Sequence, residues 1–444
     1  MILIRGARQL LTLRGAAPRR GSEHNALGII HDASILIDGE VIHSVGSARR
    51  MENLAHSRTA GVVDVGGKVV LPGFVDPHTH PIVAPPSTPE LAERLGRWMR
   101  QHEPEFPLDG APRTGLGPLR TATPRALRRS ALRNSQVFAM HGTTAIEARS
   151  GYGLAAGAET KGLRIGCGLD GHTLDVATAF AVRLPGGLSV TERERSAGYV
   201  IETLLPVIRR RKLASVCDVD CRLGAFSEAA AERILQAAAE MGFALKIRVD
   251  GESTLPGIDL ALWFRARSID GPNQIEIGEI DRLADSSTIV TLLPAAIYQS
   301  GSNRYPPARD LIDRGAIVAL STGFDPAASP AFSMAAILSL ACTQMRMTPA
   351  EAITAATING AAAIGRADRL GSIEPGKQAD LAIFDVADYR EIPFCFGANL
   401  CSATIKKGRV IHAGPGWAGA LAPLRQPPTS QQAHQNQARP ESPA

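Results

Sequence analysis

The sequence predicts an α/β protein, an eight-stranded parallel (β/α)8 barrel with a small composite β domain formed by both chain ends. Three observations predict this fold. Strand-rich segments lie near both ends of the chain, and between them helices alternate with apolar strands. In addition, an apolar run ends in the pair His78 and His80. In such a barrel the functional side chains lie at the carboxyl ends of the strands, where this pair would lie.

The small β domain is predicted over residues 1–70 and 371–415. Short β-rich runs fill the first part, and Asp38-Gly39 is a hairpin signal. Similar runs begin at Ala379 and Ala403. Two strand-rich pieces at opposite ends of a chain most simply build one sheet together. The remaining residues, 416–444, are rich in Pro, Gln, Ala and Ser, and we expect them to be a disordered tail.

The barrel is predicted over residues 71–370, where helical and strand-like runs alternate. The predicted helices are Pro124–His141, Glu192–Arg211, Glu228–Met241 and Ala331–Gln344. Strand-like runs begin at Gly142, Ala244, Thr288 and Ala316. This alternation implies parallel strands joined by crossover helices.

Composition narrows the classes of function. The chain has 444 residues, 44% of them hydrophobic, and a formal net charge of +5 with scattered arginines. With only 5% aromatic residues, it lacks the concentrated basic and aromatic face of a nucleic-acid-binding protein. Early arginines interrupt any signal peptide, and no apolar stretch of about 20 residues would span a membrane. The six cysteines form no C-x-x-C pair and are expected to be reduced, which favours a cytoplasmic protein.

His78 and His80 form a His-x-His pair at the end of a predicted strand. Alternate side chains of a strand share a face, so both imidazoles project together. Two such imidazoles can hold one divalent cation if distant parts of the chain supply further ligands. Taken alone, the pair is a weak signal and favours the simpler interpretation of a strand end with two exposed histidines.

Several longer segments extend this interpretation. They are Leu71-Pro-Gly-Phe-Val-Asp-Pro-His-Thr-His80, Gly142-Thr-Thr-Ala-Ile-Glu-Ala-Arg-Ser-Gly-Tyr-Gly-Leu154, Gly224-Ala-Phe-Ser227, Leu340-Ala-Cys-Thr-Gln-Met-Arg-Met-Thr-Pro-Ala-Glu351 and Gly371-Ser-Ile-Glu-Pro-Gly-Lys-Gln-Ala-Asp380. Together they resemble the imidazolonepropionases of the amidohydrolase superfamily, over roughly residues 1–414. The resemblance implies hydrolysis of a cyclic amide, 4-imidazolone-5-propanoate to N-formimidoyl-glutamate, in histidine degradation. It also implies a Zn or Fe ion that activates water.

The same resemblance exposes departures at the implied metal site. A third metal-binding His of the family corresponds to Arg248, and a metal-binding Asp corresponds to Gly323. Four implied substrate or catalytic positions also differ. They correspond to Ser87 (for an Arg), Phe180 and Gly271 (each for a His) and Arg222 (for a Glu).

Two further arguments concern the metal, and the first of them needs no alignment of single positions. No histidine occurs between His172 and His412, so the later barrel strands supply no imidazole ligand. An Arg cannot coordinate a cation. At about 6 Å, and with an effective dielectric of about 20, its charge would repel a divalent ion by about 5 kcal/mol.

Other residues are candidates to rebuild the site. Asp325 and Glu252 lie near the altered positions, and His141 and His172 are two further histidines. His141 is more simply a helix-end residue, and His172 a residue of a surface turn. Tyr152 and Asp270 match family positions. Each of these two is expected either to line the substrate pocket or to have an ordinary structural role.

The sequence therefore favours a divergent imidazolonepropionase-like protein in which metal-dependent hydrolysis is lost or strongly impaired. Zn or Fe is then expected to be weakly bound or absent, with His78 and His80 as a remnant pair. A retained binding role would use a small-molecule ligand, and Arg222 with Arg248 favours an anionic one. The alternative is an active hydrolase with a rearranged metal site. Because family members are often dimers, a homodimer and a complex with an intact paralogue are further alternatives.

Overall fold

The computed structural model describes residues 1–83, 121–151, 154–184, 188–222, 225–249, 255–326, 329–415 and 417. These residues form two eight-stranded sheets with surrounding helices. One sheet contains strands from both chain ends, and the other is a parallel barrel. The predicted fold class is confirmed, including the composite sheet.

The composite sheet joins the N-terminal and C-terminal strands. Its strands are β1 (Ile2–Leu11), β2 (Ile29–Asp38), β3 (Val41–Ser47), β4 (Gly61–Asp64), β5 (Val69–Pro72), β14 (Leu381–Phe384), β15 (Cys401–Lys406) and β16 (Arg409–Ala413). Their order is β16-β15-β14-β5-β1-β2-β3, and β4 pairs with β1. The turn signal at Asp38-Gly39 joins β2 to β3, where Asp38 pairs with Val41 and Gly39 has a φ of +58°. Strand β5 pairs with β1 on one side and with β14 on the other.

The barrel strands all run in parallel, in the order of the chain. They are β6 (Phe74–Thr79), β7 (Thr143–Arg149), β8 (Asp175–Val182), β9 (Val216–Asp220), β10 (Ala244–Arg248), β11 (Ser268–Asp270), β12 (Ile289–Leu292) and β13 (Ile317–Leu320). Only Gly73 separates β5 from β6, so one extended segment passes from the composite sheet into the barrel.

Side chains help to join the first barrel strand to the last. The Asp76 carboxylate of β6 accepts hydrogen bonds from the hydroxyl groups of Ser321 and Thr322, which follow β13. The backbone N–H of His80 donates to the carbonyl of Phe324 at 2.7 Å. Burial raises the pKa of Asp76 to about 6, although the hydrogen bonds from Ser321 and Thr322 oppose the rise.

Helices cover the outside of the barrel. The helices are α1 (Ala48–Glu52), α2 (Pro124–Met140), α3 (Ala156–Cys167), α4 (Val190–Tyr199), α5 (Leu205–Arg210), α6 (Glu228–Glu240), α7 (Leu255–Trp263), α8 (Ile277–Ala284), α9 (Pro294–Gln299), α10 (Ala308–Asp313), α11 (Met334–Gln344), α12 (Pro349–Ala356), α13 (Ile358–Ala363) and α14 (Glu391–Phe394). Short 3-10 turns occupy Gly21–Asn25 and Ala55–Arg58.

Helix α6 shows how the sequence specifies these helices. The Ser227 hydroxyl caps its N-terminus by accepting from the N–H of Ala230 at 3.2 Å. Its buried residues include Ala231, Ile234, Leu235 and Ala238, with the three- and four-residue spacing of a single helical face. That face packs into the large core cluster between strands and helices.

The helix predicted over Glu192–Arg211 is not regular. Helix α4 ends at Tyr199, a π-helical turn spans Val200–Leu204, and α5 follows. In this turn the N–H of Leu205 bonds to the carbonyl of Val200, five residues back. The next residue, Pro206, has no N–H to continue the α-helical ladder. The missing N–H of Pro206 is therefore the physical reason for the wider, π-helical turn that precedes it.

No helix among the described residues combines the length and the apolar character needed to cross a bilayer. All six cysteines are free thiols.

Candidate functional site

His78 and His80 lie together at the carboxyl end of β6. Both side chains are buried, and their ring centroids are 5.8 Å apart. Burial, followed by nearby arginine charges, holds the pKa of each imidazole well below its ordinary value. Both rings are therefore neutral at physiological pH.

Arg248 and Asp270 contact the two ring nitrogens of His78. The Nδ1 atom of His78 lies 2.7 Å from the Asp270 carboxylate, and its Nε2 atom lies 2.7 Å from a guanidinium nitrogen of Arg248. Because a neutral ring has one donor and one acceptor, Nδ1–H donates to Asp270 and Nε2 accepts from Arg248. Arg248 ends β10 and Asp270 ends β11, so these hydrogen bonds connect β6 to β10 and β11 at the carboxyl ends of the strands.

Arg149 is the centre of a buried ion cluster that includes Asp270. Its Nε atom donates to Glu147 at 2.9 Å, and a terminal nitrogen donates to Asp218 at 2.7 Å. Its other terminal nitrogen donates to Asp270. Burial opposes the charge of Arg149, but these three carboxylates raise the pKa of its guanidinium above its ordinary value. Arg149 thus remains charged although its side chain is fully buried.

Lys246 adds a second buried cation to the cluster. Its ammonium nitrogen lies 2.9 and 2.8 Å from the two Glu147 carboxylate oxygens. Burial lowers the pKa of Lys246, although Glu147 and Asp270 oppose this. Burial also favours the neutral form of Asp270. The charges of Arg149 and Lys246, with the His78 hydrogen bond, nevertheless hold the pKa of Asp270 well below its ordinary value.

The cluster residues named so far carry equal numbers of positive and negative charges. The cations Arg149, Lys246 and Arg248 face the carboxylates of Glu147, Asp218 and Asp270. Of these, sequence reasoning singled out only Arg248 and Asp270. A signal was available, because charged or polar residues recur two apart near the ends of successive strands. The pairs are Glu147 with Arg149, Asp218 with Asp220, Lys246 with Arg248, and Ser268 with Asp270.

The remaining predicted site residues lie in different surroundings. Arg222 binds the Asp220 carboxylate with both Nε and a terminal nitrogen, at 2.8 and 2.6 Å. Burial tends to raise the pKa of Asp220, but Arg222 and other arginines lower it to about 2. Asp325 forms a two-residue bridge with Ser329 through backbone hydrogen bonds of 2.8 and 2.9 Å. Tyr152 and Glu252, like Ser87, lie outside the described residues.

Two glycines occupy positions where the resemblance implies functional side chains. Gly323 has a φ of +60°, and a Cβ atom there would meet only Leu293 side-chain atoms at 3.6 Å or more, among described atoms. Gly271 has a φ of +77°, and a Cβ atom there would lie 2.9 Å from the carbonyl oxygen of Val249. A side chain at Gly323 is therefore spatially tolerated, whereas one at Gly271 requires the backbone to move.

Arg183 is a site residue that the sequence reasoning missed. Phe180, which was assigned to an implied histidine position, belongs to the core cluster between strands and helices. Ala179 pairs in register with the inward-facing Arg149, so the inward residues of β8 have odd numbers. Arg183 comes directly after β8 and also has an odd number, so the same alternation predicts that it faces inward. Its charge acts on His80, Asp218 and Asp220. The signal was the register of the strand rather than the motif.

Among the described residues, no group of three or more His, Cys, Asp or Glu side chains is arranged to hold a metal ion. His78 and His80 stay together as a pair, and Arg248 occupies the space beside His78 Nε2.

Comparison with known proteins decides the family. The amidohydrolase family model matches residues 259–411. The chain is 38% identical over 417 residues to the imidazolonepropionase of Geobacillus thermodenitrificans, covering 92% of this chain and 97% of the relative. It belongs to the imidazolonepropionase family. Another family member, the imidazolonepropionase of Parabacteroides distasonis, is 36% identical with 92% of this chain and 98% of the relative covered.

Solved structures agree with this imidazolonepropionase-family fold. The zinc complex of atrazine chlorohydrolase from Arthrobacter aurescens TC1 superimposes with a TM-score of 0.66 at 18% identity, covering 98% of this chain and 99% of that chain. The ochratoxinase of A. niger gives 0.63 at 16% identity, covering 96% and 98%. At these identities the likeness establishes the amidohydrolase fold alone. The chlorohydrolase structure contains zinc.

Proposed function

We propose that this imidazolonepropionase-family protein has lost metal-dependent hydrolysis, or retains it only weakly, and acts as a binding protein for a small anionic molecule. The contact between Arg248 and His78 carries the proposal. Zinc bound to an imidazole nitrogen lies about 2.0–2.1 Å from it. A guanidinium nitrogen already lies 2.7 Å from His78 Nε2, in the direction of the same lone pair. Metal and guanidinium therefore exclude each other at this atom.

The other His78 nitrogen offers no second route to a metal. Its Nδ1 atom is committed to Asp270, which Arg149 also binds. The position that the family resemblance assigns to a metal-binding Asp is Gly323, which has no side chain. A catalytic zinc site generally needs three protein ligands and a water. The donor set of the described residues does not fit such a site.

The charge changes at the barrel mouth, which is the end of the barrel formed by the carboxyl ends of its strands, support an anionic ligand. Relative to the family motifs, Arg222 replaces a Glu, Arg248 replaces a His and Gly323 replaces an Asp. Each of these changes makes the mouth more positive. The charge of a further cation, Arg183, acts on His80, Asp218 and Asp220. Guanidinium groups bind carboxylates and other planar oxyanions in a bidentate manner, which favours such a ligand.

Metal analysis of the purified protein tests the proposal. We expect well under one equivalent of zinc or iron in the wild type. The variant R248H/G323D should gain metal, because it restores two missing ligands and a side chain at position 323 is spatially tolerated. The single variant R222H is the matched control, since it adds a histidine at the mouth away from His78. One tightly held equivalent in the wild type would overturn the proposal.

The alternative of an active hydrolase is supported by identity of 33–38% to imidazolonepropionases over more than nine-tenths of the chain. It requires the Arg248 side chain to leave His78. Turnover of 4-imidazolone-5-propanoate by the wild type with zinc supplied, abolished by His78→Ala, would establish this alternative. An inactive wild type, with activity appearing in R248H/G323D, would exclude it.

A further inference from the structure

The structure contains a cavity of about 400 Å³ at the end of the barrel opposite to His78 and His80. It is lined by residues at the starts of strands, including Val176 of β8, Ser215 just before β9 and Arg267 just before β11. The segment that follows α13 completes the wall with Arg366 and Arg369. Because strand starts and strand ends lie at opposite faces of the barrel, this cavity is separate from the candidate site.

Two arginines of this cavity have no partner among the described residues. The guanidinium groups of Arg267 and Arg369 make no hydrogen bond or ion pair with any other residue, as far as the described chain extends. Arg267 is only partly exposed. A partly buried guanidinium that lacks a partner loses hydration without compensation, which is unfavourable. Most arginines in such surroundings are paired, so the pattern points to a partner from outside the chain.

The neighbouring backbone is shaped to admit the Arg267 side chain. Gly365 has a φ of +69°, and a Cβ atom there would lie 2.8 Å from a terminal nitrogen of Arg267. Any other residue at this position would therefore displace the guanidinium. The third arginine, Arg366, is held by Asp170 at 3.2 and 3.3 Å and by the carbonyl of Val176 at 3.1 Å. This pair fixes the wall of the cavity beside Arg267.

The charge and donors of the cavity indicate the class of ligand. With Arg366 and Asp170 paired, the one further carboxylate that lines the cavity among the described residues is that of Asp368. Hydroxyl donors are available from Ser215 and Thr178. One bidentate guanidinium satisfies a carboxylate, whereas a phosphate monoester presents three terminal oxygens to two guanidinium groups and to hydroxyls. We propose that this cavity binds a small molecule carrying a phosphate monoester.

Isothermal titration calorimetry of the full-length protein with glycerol 3-phosphate, at ionic strength fixed with NaCl, tests the proposal. We expect saturable binding of one equivalent. R267Q and R369Q should each weaken it by about 10- to 100-fold, the effect of losing a hydrogen bond to a charged group. Inorganic phosphate should bind at the same site, and succinate at least about tenfold more weakly than glycerol 3-phosphate.

Two control variants separate this cavity from other sites. Arg210, an exposed arginine at the end of α5, provides R210Q, which should bind as the wild type does. R222Q should also bind normally, because Arg222 lies at the opposite barrel mouth. Binding lost in R222Q but kept in R267Q would move the phosphate site to the mouth and overturn the proposal. So would an absence of saturation, equal affinity for succinate, or unchanged affinity in both R267Q and R369Q. Because R369Q alters an exposed side chain, it keeps the test valid if R267Q does not fold.

Discussion

Replacement of Arg149 by Leu tests whether the buried ion cluster is held by this one guanidinium. The substitution removes hydrogen bonds to Glu147 at 2.9 Å, to Asp218 at 2.7 Å, and to Asp270. Glu147 keeps Lys246, and Asp270 keeps the hydroxyl of Ser268 at 2.6 Å. Asp218 has no other hydrogen-bond donor among the described residues. One buried carboxylate thus loses its partner, which costs about 3–5 kcal/mol.

The pH dependence of this loss gives a second, independent readout. Burial already raises the pKa of Asp218, and Arg149 is the largest influence that opposes the rise. Without Arg149 the folded-state pKa rises further above the unfolded value. A carboxyl group of this kind stabilises the fold at low pH, and the stabilisation is lost as pH rises through the folded-state pKa. The difference in stability between wild type and Arg149→Leu should therefore narrow from pH 7 to pH 5.

Urea unfolding followed by circular dichroism measures both effects. The matched control is Arg233→Leu, because Arg233 pairs with Glu194 at 2.6 Å while both side chains are about half exposed. An exposed pair contributes at most about 1 kcal/mol, so this control should change stability little. A loss below about 1 kcal/mol for Arg149→Leu, or a loss that does not vary with pH, would refute the reasoning.

Two further predictions concern closure of the barrel and the passage between the sheets. Because the pKa of Asp76 is raised from 3.8 to about 6, its contribution to the free energy of unfolding should fall by up to about 3 kcal/mol between pH 4 and pH 6. Urea unfolding of Asp76→Asn should lack this component, and an identical pH profile in both proteins would contradict the assignment. For Gly73→Ala we expect a loss of about 1–3 kcal/mol in the same assay, because a Cβ atom there would lie 2.2 Å from the Thr144 side chain. Gly198→Ala, in a helix with no described atom within 4 Å of the added Cβ, is the control and should be neutral or stabilising by up to about 1 kcal/mol.

The fold was predictable because its signals are local. Alternation of helices and apolar strands, with strand-rich pieces at both ends, suffices for the barrel and the composite sheet. The His-x-His pair at a strand end placed the candidate site. The π-helical turn before Pro206 was not predictable in the same way, since the apolar periodicity of this segment is that of a regular α-helix.

The ion cluster depends on relations that a single segment does not contain. Arg149, Asp218 and Asp270 come from three different strands, and their side chains meet because each faces the inside of the barrel near the end of its strand. The sequence therefore indicates which side chains face inward, through spacing of two, but not which of them pair. The same limit explains why Arg183 was missed.

The pairing of β5 with β14 has a consequence for synthesis of the chain on the ribosome. Pro72 of β5 pairs with Leu381 of β14, about 300 residues later. Until β14 emerges, this edge of β5 exposes its backbone hydrogen-bonding groups next to the strand that carries His78. An exposed strand edge invites pairing with other chains, and non-local strand pairing is slow. We therefore expect the nascent chain to be prone to aggregate from the emergence of β5 until β14 arrives.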